Sequence, residues 1–374
     1  MCTISLCMIT KNEEKNIKNC LESAMSLADE IIIVDTGSTD NTKSICQSFN
    51  AKIYDHPWND NFSDARNFCI SKASSDWILW LDADEQLIIR NNKLKDDLSK
   101  NTAIIYSVQM LHMTDNNSDE NMIYYISYHN RLFKNNCGFY FQGSIHESLA
   151  NSDMAAFDNM IINESIALKH YGYINDTAAE KSLRNLKMLL KEKDKQTDDP
   201  WIDYHLAAEF YRCNDLNRAY AMVNHSLAGF IEKNLMPPAI AYKLKYEIIS
   251  KSNDQDNAVT GINKAIALYP DYVELHFLKG MILYKQHKYN EAIKAFQKCI
   301  ILGEFNPKYL ILSGSGSFRA CYYIGKCYEE LGNINRAKEY YRQSLLYNPG
   351  FETAAEQLKN INSKKGHKSQ AMLF

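Results

Sequence analysis

The period of the apolar positions divides the chain into two parts. Up to about residue 175, short apolar runs alternate with amphipathic stretches of helical period. The predicted strands are "TISLCMIT" (3–10), "EIIIVDTGS" (30–38), "AKIYDHPW" (51–58) and "DWILWLDAD" (76–84), and the helices between them are "EEKNIKNCLESAMSL" (13–27), "TDNTKSICQSF" (39–49) and "FSDARNFCISKAS" (62–74). The first helix is predicted to bury Ile17, Leu21, Ala24 and Leu27, and Ser38 or Thr39 is expected to cap the second. This alternation predicts an α/β domain with a mostly parallel sheet covered on both faces.

Beyond about residue 195 the strands stop and a helical repeat begins. Ala219, Ala258, Ala292 and Ala337 recur at spacings of 39, 34 and 45 residues. Twelve residues before them lie Ala207, Tyr246, Gly280 and Gly325, and four residues after them lie Val223, Ile262, Phe296 and Tyr341. Small residues at a helix crossing, followed by a large apolar residue one turn later, match the tetratricopeptide pattern. We predict four repeats, of which the last two fit best; a helical bundle without true repeats is the alternative.

These patterns predict four segments: a domain at 1–178, a linker helix at 179–198, helical repeats at 199–362 and a flexible tail at 363–374. The net charge of −3 gives no electrostatic case for binding nucleic acid. Apolar runs such as "IIIV" (31–34) are much shorter than the roughly 18 residues of a membrane span. The N-terminal stretch lacks the features of a signal peptide, and the ten cysteines form no CxxC pair. We therefore expect a cytoplasmic protein with reduced core thiols.

The stretch "LDADE" places carboxylates where the fourth predicted strand ends. Asp82 and Asp84 are two residues apart, so in a strand their side chains point to the same side. One carboxylate can bind a hard divalent cation while the other accepts a hydrogen bond from a sugar hydroxyl. Such a cation is well suited to bind a diphosphate, because the metal neutralises the negative charge of the diphosphate. The alternative is that these acids cap the following turn.

Other predicted strands also end in polar residues, and the carboxyl ends of parallel strands meet at one edge of a sheet. Thr10, Asn12 and Glu13 follow the first strand, and Asp35 ends the second, just before Gly37. A carboxylate at Asp35 can accept hydrogen bonds from a uracil N–H or a ribose hydroxyl. The segment "NDNFSDARN" (59–67) adds Asp64 and Arg66, whose guanidinium suits phosphate oxygens or a base.

In order and spacing, these motifs resemble inverting nucleotide-sugar glycosyltransferases of family two, which have the GT-A fold, over residues 3 to about 175. The resemblance implies a UDP-sugar site, with UDP-glucose or UDP-N-acetylglucosamine as the donor. It places Asp35 and Arg66 at the uridine, Asp82 with the adjacent Ala83 at the ribose or sugar, and Asp84 on Mg²⁺ or Mn²⁺. Thr10, Asn12, Glu13 and Asp64 belong to the same donor site.

The segment "RLFKNNCGFYFQGSIHESL" (131–149) is similar to the acceptor side of that family. Many members carry an acidic pair ending in Asp here, whereas this chain has His146 and Glu147. We expect Glu147 to be the general base, with His146 as the alternative or as a residue that orients it. The alternative is that Glu147 only begins a helix and that His146 is a structural histidine whose hydrogen bonds are satisfied.

Three further predictions concern isolated side chains. His170, in "ALKHYGY" (167–173), is the candidate that completes the metal or diphosphate shell, as late histidines do in related GT-A enzymes; an ordinary core or surface histidine is the alternative. Arg131 fits either a phosphate contact or a structural salt bridge. The remaining histidines of this half, His56, His112 and His129, have no obvious partners in the sequence and are interpreted as structural.

A transferase domain followed by repeats favours an acceptor larger than a free sugar, because repeats offer a groove for a peptide. Such two-part chains resemble bacterial enzymes that attach sugar to cysteine or serine of bacteriocin peptides, in which "FSDARN", "DAD" and G-x-x-H-E recur in the same order. The N-terminal motifs also resemble transferases that extend lipopolysaccharide cores, which generally lack repeats. The alternative from another functional class is a non-catalytic scaffold protein. The repeats are also compatible with association between copies of this chain.

Overall fold

The fold is described from a computed structural model, which describes residues 2–100, 102–114, 124–158, 160–172, 178–195, 198–252 and 257–370. The chain divides into two compact units. The first unit comprises 1–114 and 125–192, and the second comprises 115–124 and 193–374.

The first unit alternates strands and helices before its later strands follow one another. The strands are β1 (Ile4–Thr10), β2 (Glu30–Asp35), β3 (Lys52–Asp55), β4 (Trp77–Trp80), β5 (Glu85–Ile89), β6 (Ile105–Met113), β7 (Tyr124–Lys134), β8 (Phe139–Gln142), β9 (Ser148–Asn151) and β10 (Ile161–His170). The helices are α1 (Ile17–Ala24), α2 (Thr42–Ser48), α3 (Phe62–Ile70) and α4 (Leu94–Lys100), with a short 3₁₀ helix at Met154–Phe157. Helix α5 (Ala178–Lys195) follows β10 and occupies much of the segment for which a linker helix was predicted.

The main sheet has the strand order β3-β2-β1-β4-β7-β6-β10-β5. Strands β1 to β4 pair in parallel, β7 runs antiparallel to β4, and β5 runs antiparallel to β10. The prediction of a mostly parallel α/β domain is therefore confirmed, with antiparallel strands added beyond β4. Because β1, β2 and β4 end at the same edge, their polar C-terminal residues lie along that edge.

Helix α1 buries the predicted face, since Ile17, Leu21 and Ala24 are fully buried and Leu27 is nearly so. The predicted cap of α2 is wrong: the N-cap position is Asn41. Ser38 accepts a hydrogen bond from the backbone N–H of Asn12, and the backbone N–H of Thr39 donates to the Asn12 side chain. These two residues tie the loops after β1 and β2 together, a role that local helix-start signals cannot reveal.

The second unit consists of helical hairpins. Its helices are α6 (Pro200–Arg212), α7 (Leu216–Glu232), α8 (Ala239–Lys251), α9 (Ala258–Leu268), α10 (Val273–Lys285), α11 (Tyr289–Leu302), α12 (Phe318–Glu330), α13 (Ile334–Tyr347) and α14 (Glu352–Gln370), with a short strand β11 (Ile311–Leu312). The four predicted alanines lie on α7, α9, α11 and α13 and are buried, as are their predicted partners on the preceding helices. The four hairpins α6–α7, α8–α9, α10–α11 and α12–α13 are thus the predicted repeats.

Two of these hairpins show why the pattern needs a glycine at the helix crossing. A Cβ added at Gly280 would lie 2.6 Å from the ring of Phe296, and one added at Gly325 would lie 2.6 Å from the ring of Tyr341. Each aromatic ring is fully buried, so it has no open space into which to move. The glycine on one helix therefore makes room for the aromatic residue on the next. Across the described part of the chain, no helix has both the length and the apolar character needed to cross a membrane.

Candidate functional site

The ends of β1 and β2 bring together the first group of predicted donor-binding residues. Thr10 and Asp35 are register partners at the ends of these strands. Asp35 is buried and accepts hydrogen bonds from the backbone N–H groups of Gly37 and Ser38, at 3.0 and 2.8 Å. Burial raises the pKa of Asp35, but the hydrogen bonds from Ser38 and Gly37 outweigh that effect and lower it below its usual value. Asn12 lies exposed beside this turn, whereas the Asp35 side chain has no exposed surface.

Helix α3 places Asp64 and Arg66 differently. Asp64 is partly exposed near the start of the helix, where its Oδ2 lies 2.8 Å from His56 Nε2 and 2.8 Å from Asn59 Nδ2. The side chain of His56 therefore has a partner, which the sequence did not reveal. Arg66 is buried, and its guanidinium carbon lies 4.5 Å above the Trp80 ring. The same helix thus presents one acid outward and one guanidinium inward.

Asp82 forms the centre of an ion cluster. Its carboxylate oxygens each lie 3.1 Å from a guanidinium nitrogen, one of Arg66 and one of Arg131. Arg131 also lies 2.6 Å from Glu85, a residue that the prediction did not include. Burial raises the pKa of Asp82, but the charges of Arg66 and Arg131 outweigh it and hold the pKa below its usual range. Burial raises the pKa of Glu85 against the charge of Arg131, and the charge of Asp82 acts in the same direction as burial.

Arg66 connects this cluster to the predicted general base. Its Nη2 lies 2.5 Å from Glu147 Oε1 and 3.1 Å from Asp82 Oδ1. Hydrogen bonds from the start of α3 hold the segment before Glu147, because Phe62 N donates to Ser144 O and Ser63 Oγ donates to Gly143 O. Glu147 is therefore fixed beside Asp82. Its neighbour His146 has an exposed side chain and a backbone φ of 53°, in the left-handed region.

Asp84 and His170 face each other across a gap. His170 Nε2 lies 3.6 Å from Asp84 Oδ1, too far for a hydrogen bond. A Cβ added at the buried Gly172 would lie 2.4 Å from His170 Nε2 and 2.8 Å from Asp84 Oδ2. No residue with a side chain fits at position 172, because His170 and Asp84 pack against the Gly172 backbone. This packing holds a carboxylate and an imidazole close together, and both are ordinary ligands of divalent cations.

This gap fits a metal ion as far as its donor set goes, but not as a complete protein cage. Within the described residues no group of three His, Cys, Asp or Glu side chains is arranged to hold a metal. Asp84 and His170 would supply two ligands of the ion, and oxygen atoms of a bound ligand would have to complete its coordination shell. Glu13 is half-buried near Asp84, and burial raises its pKa, with the charge of Asp84 acting in the same direction. The charge of a bound cation would act against that rise.

Lys181 is the site residue that the prediction missed most clearly. It lies on α5, and its Nζ is 2.9 Å from Asp84 Oδ2 and 3.3 Å from the carbonyl oxygen of Gly172. Because Lys181 is 97 residues from Asp84 along the chain, no local pattern joins the two. Lys181, Arg66 and Arg131 are thus cationic partners of the acids in "LDADE". The sequence alone had shown no partner for these acids.

His112 was interpreted as structural, yet it contacts the predicted metal residue. Its Nδ1 lies 3.1 Å from His170 Nδ1. Burial lowers the pKa of both histidines, so the two rings are neutral near pH 7. The partner of His112 depends on which strands pair in the sheet, and the sequence around one residue does not show that pairing.

Comparison with known families adds an independent finding. Residues 5–145 match the model of Glycosyl transferase family 2, and residues 273–306 and 318–351 match the Tetratricopeptide repeat. The first unit carries a family 2 glycosyltransferase domain. The two matched repeats are the hairpins α10–α11 and α12–α13, which are the two that the sequence pattern defined best. The protein is therefore a glycosyltransferase with tetratricopeptide repeats, and the predicted family is confirmed.

Two relatives share most of the chain. A TPR repeat-containing protein of Synechococcus elongatus is 28% identical over 305 residues, which cover 78% of this chain and 72% of that protein. The SPbeta prophage-derived glycosyltransferase SunS of Bacillus subtilis is 25% identical over 284 residues, covering 75% of this chain and 67% of that protein. Among solved structures, MamA is 18% identical with a TM-score of 0.39, over 49% of this chain and 99% of that one; this score is too low to carry an inference about the glycosyltransferase.

Proposed function

We propose that this glycosyltransferase moves a hexose or N-acetylhexosamine from a UDP-sugar to a serine or cysteine side chain of a peptide or protein. The reaction is a single displacement with inversion at the anomeric carbon, and it depends on Mg²⁺ or Mn²⁺. The observation that carries the proposal is one connected arrangement. Arg66 joins Glu147 to Asp82, and two residues further along the chain Asp84 faces His170 across a gap.

The donor side is supported by the edge where β1, β2 and β4 end. Asp35 and Thr10 are buried there and Asn12 is exposed beside them, and these polar groups suit a uracil or a ribose. Asp82 lies at the end of β4, within reach of a sugar or ribose hydroxyl. Arg66, buried against Trp80, contributes positive charge near the same point. Glycosyltransferases of this family use nucleotide-sugar donors, and the choice of UDP is the finer part of the proposal.

The leaving group is a nucleoside diphosphate, which gains negative charge as the glycosidic bond breaks. A divalent cation held by Asp84 and His170 would neutralise that charge when bound. The protein contributes a carboxylate and an imidazole that face each other at 3.6 Å beside Gly172. It also contributes Lys181, a cation next to the same carboxylate.

On the acceptor side, Glu147 takes the proton from the acceptor hydroxyl or thiol. The acceptor oxygen or sulfur forms a bond to the anomeric carbon as the bond from that carbon to the diphosphate oxygen breaks, and the electron pair leaves with the diphosphate. Arg66 positions the Glu147 carboxylate by an ion pair at 2.5 Å. His146, exposed beside it, is the alternative group for the same proton.

The peptide acceptor is supported by the repeats of the second unit. Tetratricopeptide repeats present an extended concave surface that suits a peptide, whereas a glycan acceptor gives them no obvious role. Transfer to a lipopolysaccharide or another cell-surface glycan is the competing acceptor class, and the first experiment below includes it.

The first experiment incubates the purified full chain with a panel of UDP-, GDP- and dTDP-sugars, with Mn²⁺, and with peptide and glycan acceptors. Intact-mass spectrometry reads the products. We expect a mass gain of one or more hexose or N-acetylhexosamine units on Ser- or Cys-containing peptides with a UDP-sugar, and none in EDTA. Sugar added to glycans alone would contradict the peptide acceptor, and full activity in EDTA would contradict the metal.

The second experiment tests the proton acceptor with Glu147→Gln, which keeps the size of the side chain. A thiol is already a few per cent ionised near neutral pH, whereas a serine hydroxyl is not. The variant should therefore lose about 100-fold or more in kcat with a serine peptide, and much less with the matched cysteine peptide. Glu22→Gln, an exposed acid on α1, is the control and should leave both rates unchanged. Equal losses on both peptides would contradict the role of Glu147 as a base.

A further inference from the structure

A row of hydrogen-bonded side chains crosses the sheet and ends at the gap beside Asp84. His170 Nδ1 lies 3.1 Å from His112 Nδ1, and His112 Nε2 lies 2.6 Å from Ser127 Oγ. Ser127 Oγ in turn lies 2.8 Å from His129 Nε2. His129 is exposed, so the row runs from solvent to His170, whose other nitrogen faces Asp84.

The pairing of the strands builds this row. Strands β7, β6, β10 and β5 are consecutive neighbours in the sheet. His112 on β6 and His170 on β10 are register partners, and His170 lies opposite Glu85 on β5. The backbone N–H of Tyr171 also donates to the carbonyl oxygen of Asp84, which joins the end of β10 to the turn before β5. The register of the sheet therefore brings the side chains of this row together, and their conformations complete the contacts.

We propose that His112, Ser127 and His129 are positioning residues that hold His170 in the tautomer with its proton on Nδ1. This leaves a lone pair on Nε2, directed towards the gap that Asp84 borders. His170 donates Nδ1–H to His112 Nδ1, and His112 donates Nε2–H to Ser127 Oγ. Ser127 donates its hydroxyl hydrogen to His129 Nε2, so each contact in the row has one donor and one acceptor.

The distances favour this direction over the reverse one. If the protons ran the other way, His170 would carry its hydrogen on Nε2, pointing at the Asp84 carboxylate. A hydrogen bond from an imidazole N–H to a carboxylate closes to roughly 2.7–2.9 Å. The observed separation of His170 Nε2 and Asp84 Oδ1 is 3.6 Å. Two lone pairs directed at one small gap are what a cation requires.

The role of the row at a metal rests on the proposed function, but the tautomer of His170 does not. The test uses His112→Phe, which removes the acceptor, and His112→Asn, whose side-chain oxygen can occupy the position of Nδ1. Nitrogen NMR of histidine-labelled, metal-free protein at pH 8 reads the tautomer of His170, assigned by the loss of its signals in His170→Asn. Calorimetry with Mn²⁺ reads the affinity for the ion.

We expect His170 to carry its proton on Nδ1 in the unmodified protein and in His112→Asn, and to become a mixture of tautomers in His112→Phe. Affinity for Mn²⁺ should fall about 10- to 100-fold in His112→Phe and only a few-fold in His112→Asn. A proton on Nε2 in the unmodified protein would overturn the inference, and so would identical tautomers and affinities in all three proteins. The predicted tautomer without any Mn²⁺ binding would support the positioning role and count against the metal in the proposed function.

Discussion

At the scale of single residues, Asp84 contacts a cation that belongs to the protein. Lys181 Nζ lies 2.9 Å from its carboxylate, at the edge of the gap where we place a divalent ion. An ammonium group and a metal ion compete for one carboxylate, because each neutralises the same charge. Neither residue is fully buried, so the ion pair is partly screened by solvent and is weak enough to exchange.

Replacing this lysine should therefore strengthen metal binding. In Lys181→Met, affinity for Mn²⁺ measured by calorimetry without donor should rise about fivefold, equivalent to removing about 1 kcal/mol of competing ion-pair energy. Lys191→Met is the matched control, because Lys191 lies on the same helix and pairs with Asp60, outside the ion cluster. An unchanged or weaker affinity in Lys181→Met would show that the ammonium group does not compete with the ion.

At the scale of secondary-structure elements, the sequence predicted those features that depend only on the period of the apolar residues. The strands to β4, the helices between them and the buried face of α1 follow from local apolar patterns. The pairing of β10 with β6 and β5 was not predictable in the same way, because it joins residues far apart in the chain. For that reason the sequence could nominate acids at the strand ends, whereas Lys181 and His112, which contact Asp84 and His170 in the structure, were not predicted.

The helix crossings of the repeats give a prediction at this scale. Gly280→Ala should destabilise the second unit by about 1–3 kcal/mol, because the added methyl group overlaps the buried ring of Phe296. In a Phe296→Leu background the same change should be neutral or stabilising, since alanine favours a helix over glycine by about 1 kcal/mol. Urea unfolding of the four proteins completes the double-mutant cycle. Stabilisation by Gly280→Ala in the unmodified background would contradict the packing we describe.

At the scale of the whole molecule, the change in period along the chain predicted two kinds of architecture, and the structure has both. A family 2 glycosyltransferase domain carries the candidate site, and the second unit contains tetratricopeptide repeats, a class of repeat that presents extended concave surfaces. Composition alone established little about the reaction. The motifs at the strand ends predicted the class of chemistry, because in order and spacing they resemble those of family 2 glycosyltransferases, and the family match over residues 5–145 supports it.

The most direct measurement is a crystal structure of the full chain with UDP and Mn²⁺, in which anomalous scattering locates the metal. We predict a manganese ion bound by Asp84 and His170 in the gap beside Gly172, in contact with the diphosphate, with Lys181 displaced from Asp84. A structure that contains UDP but has no anomalous peak there, and in which Lys181 still pairs with Asp84, would contradict this arrangement.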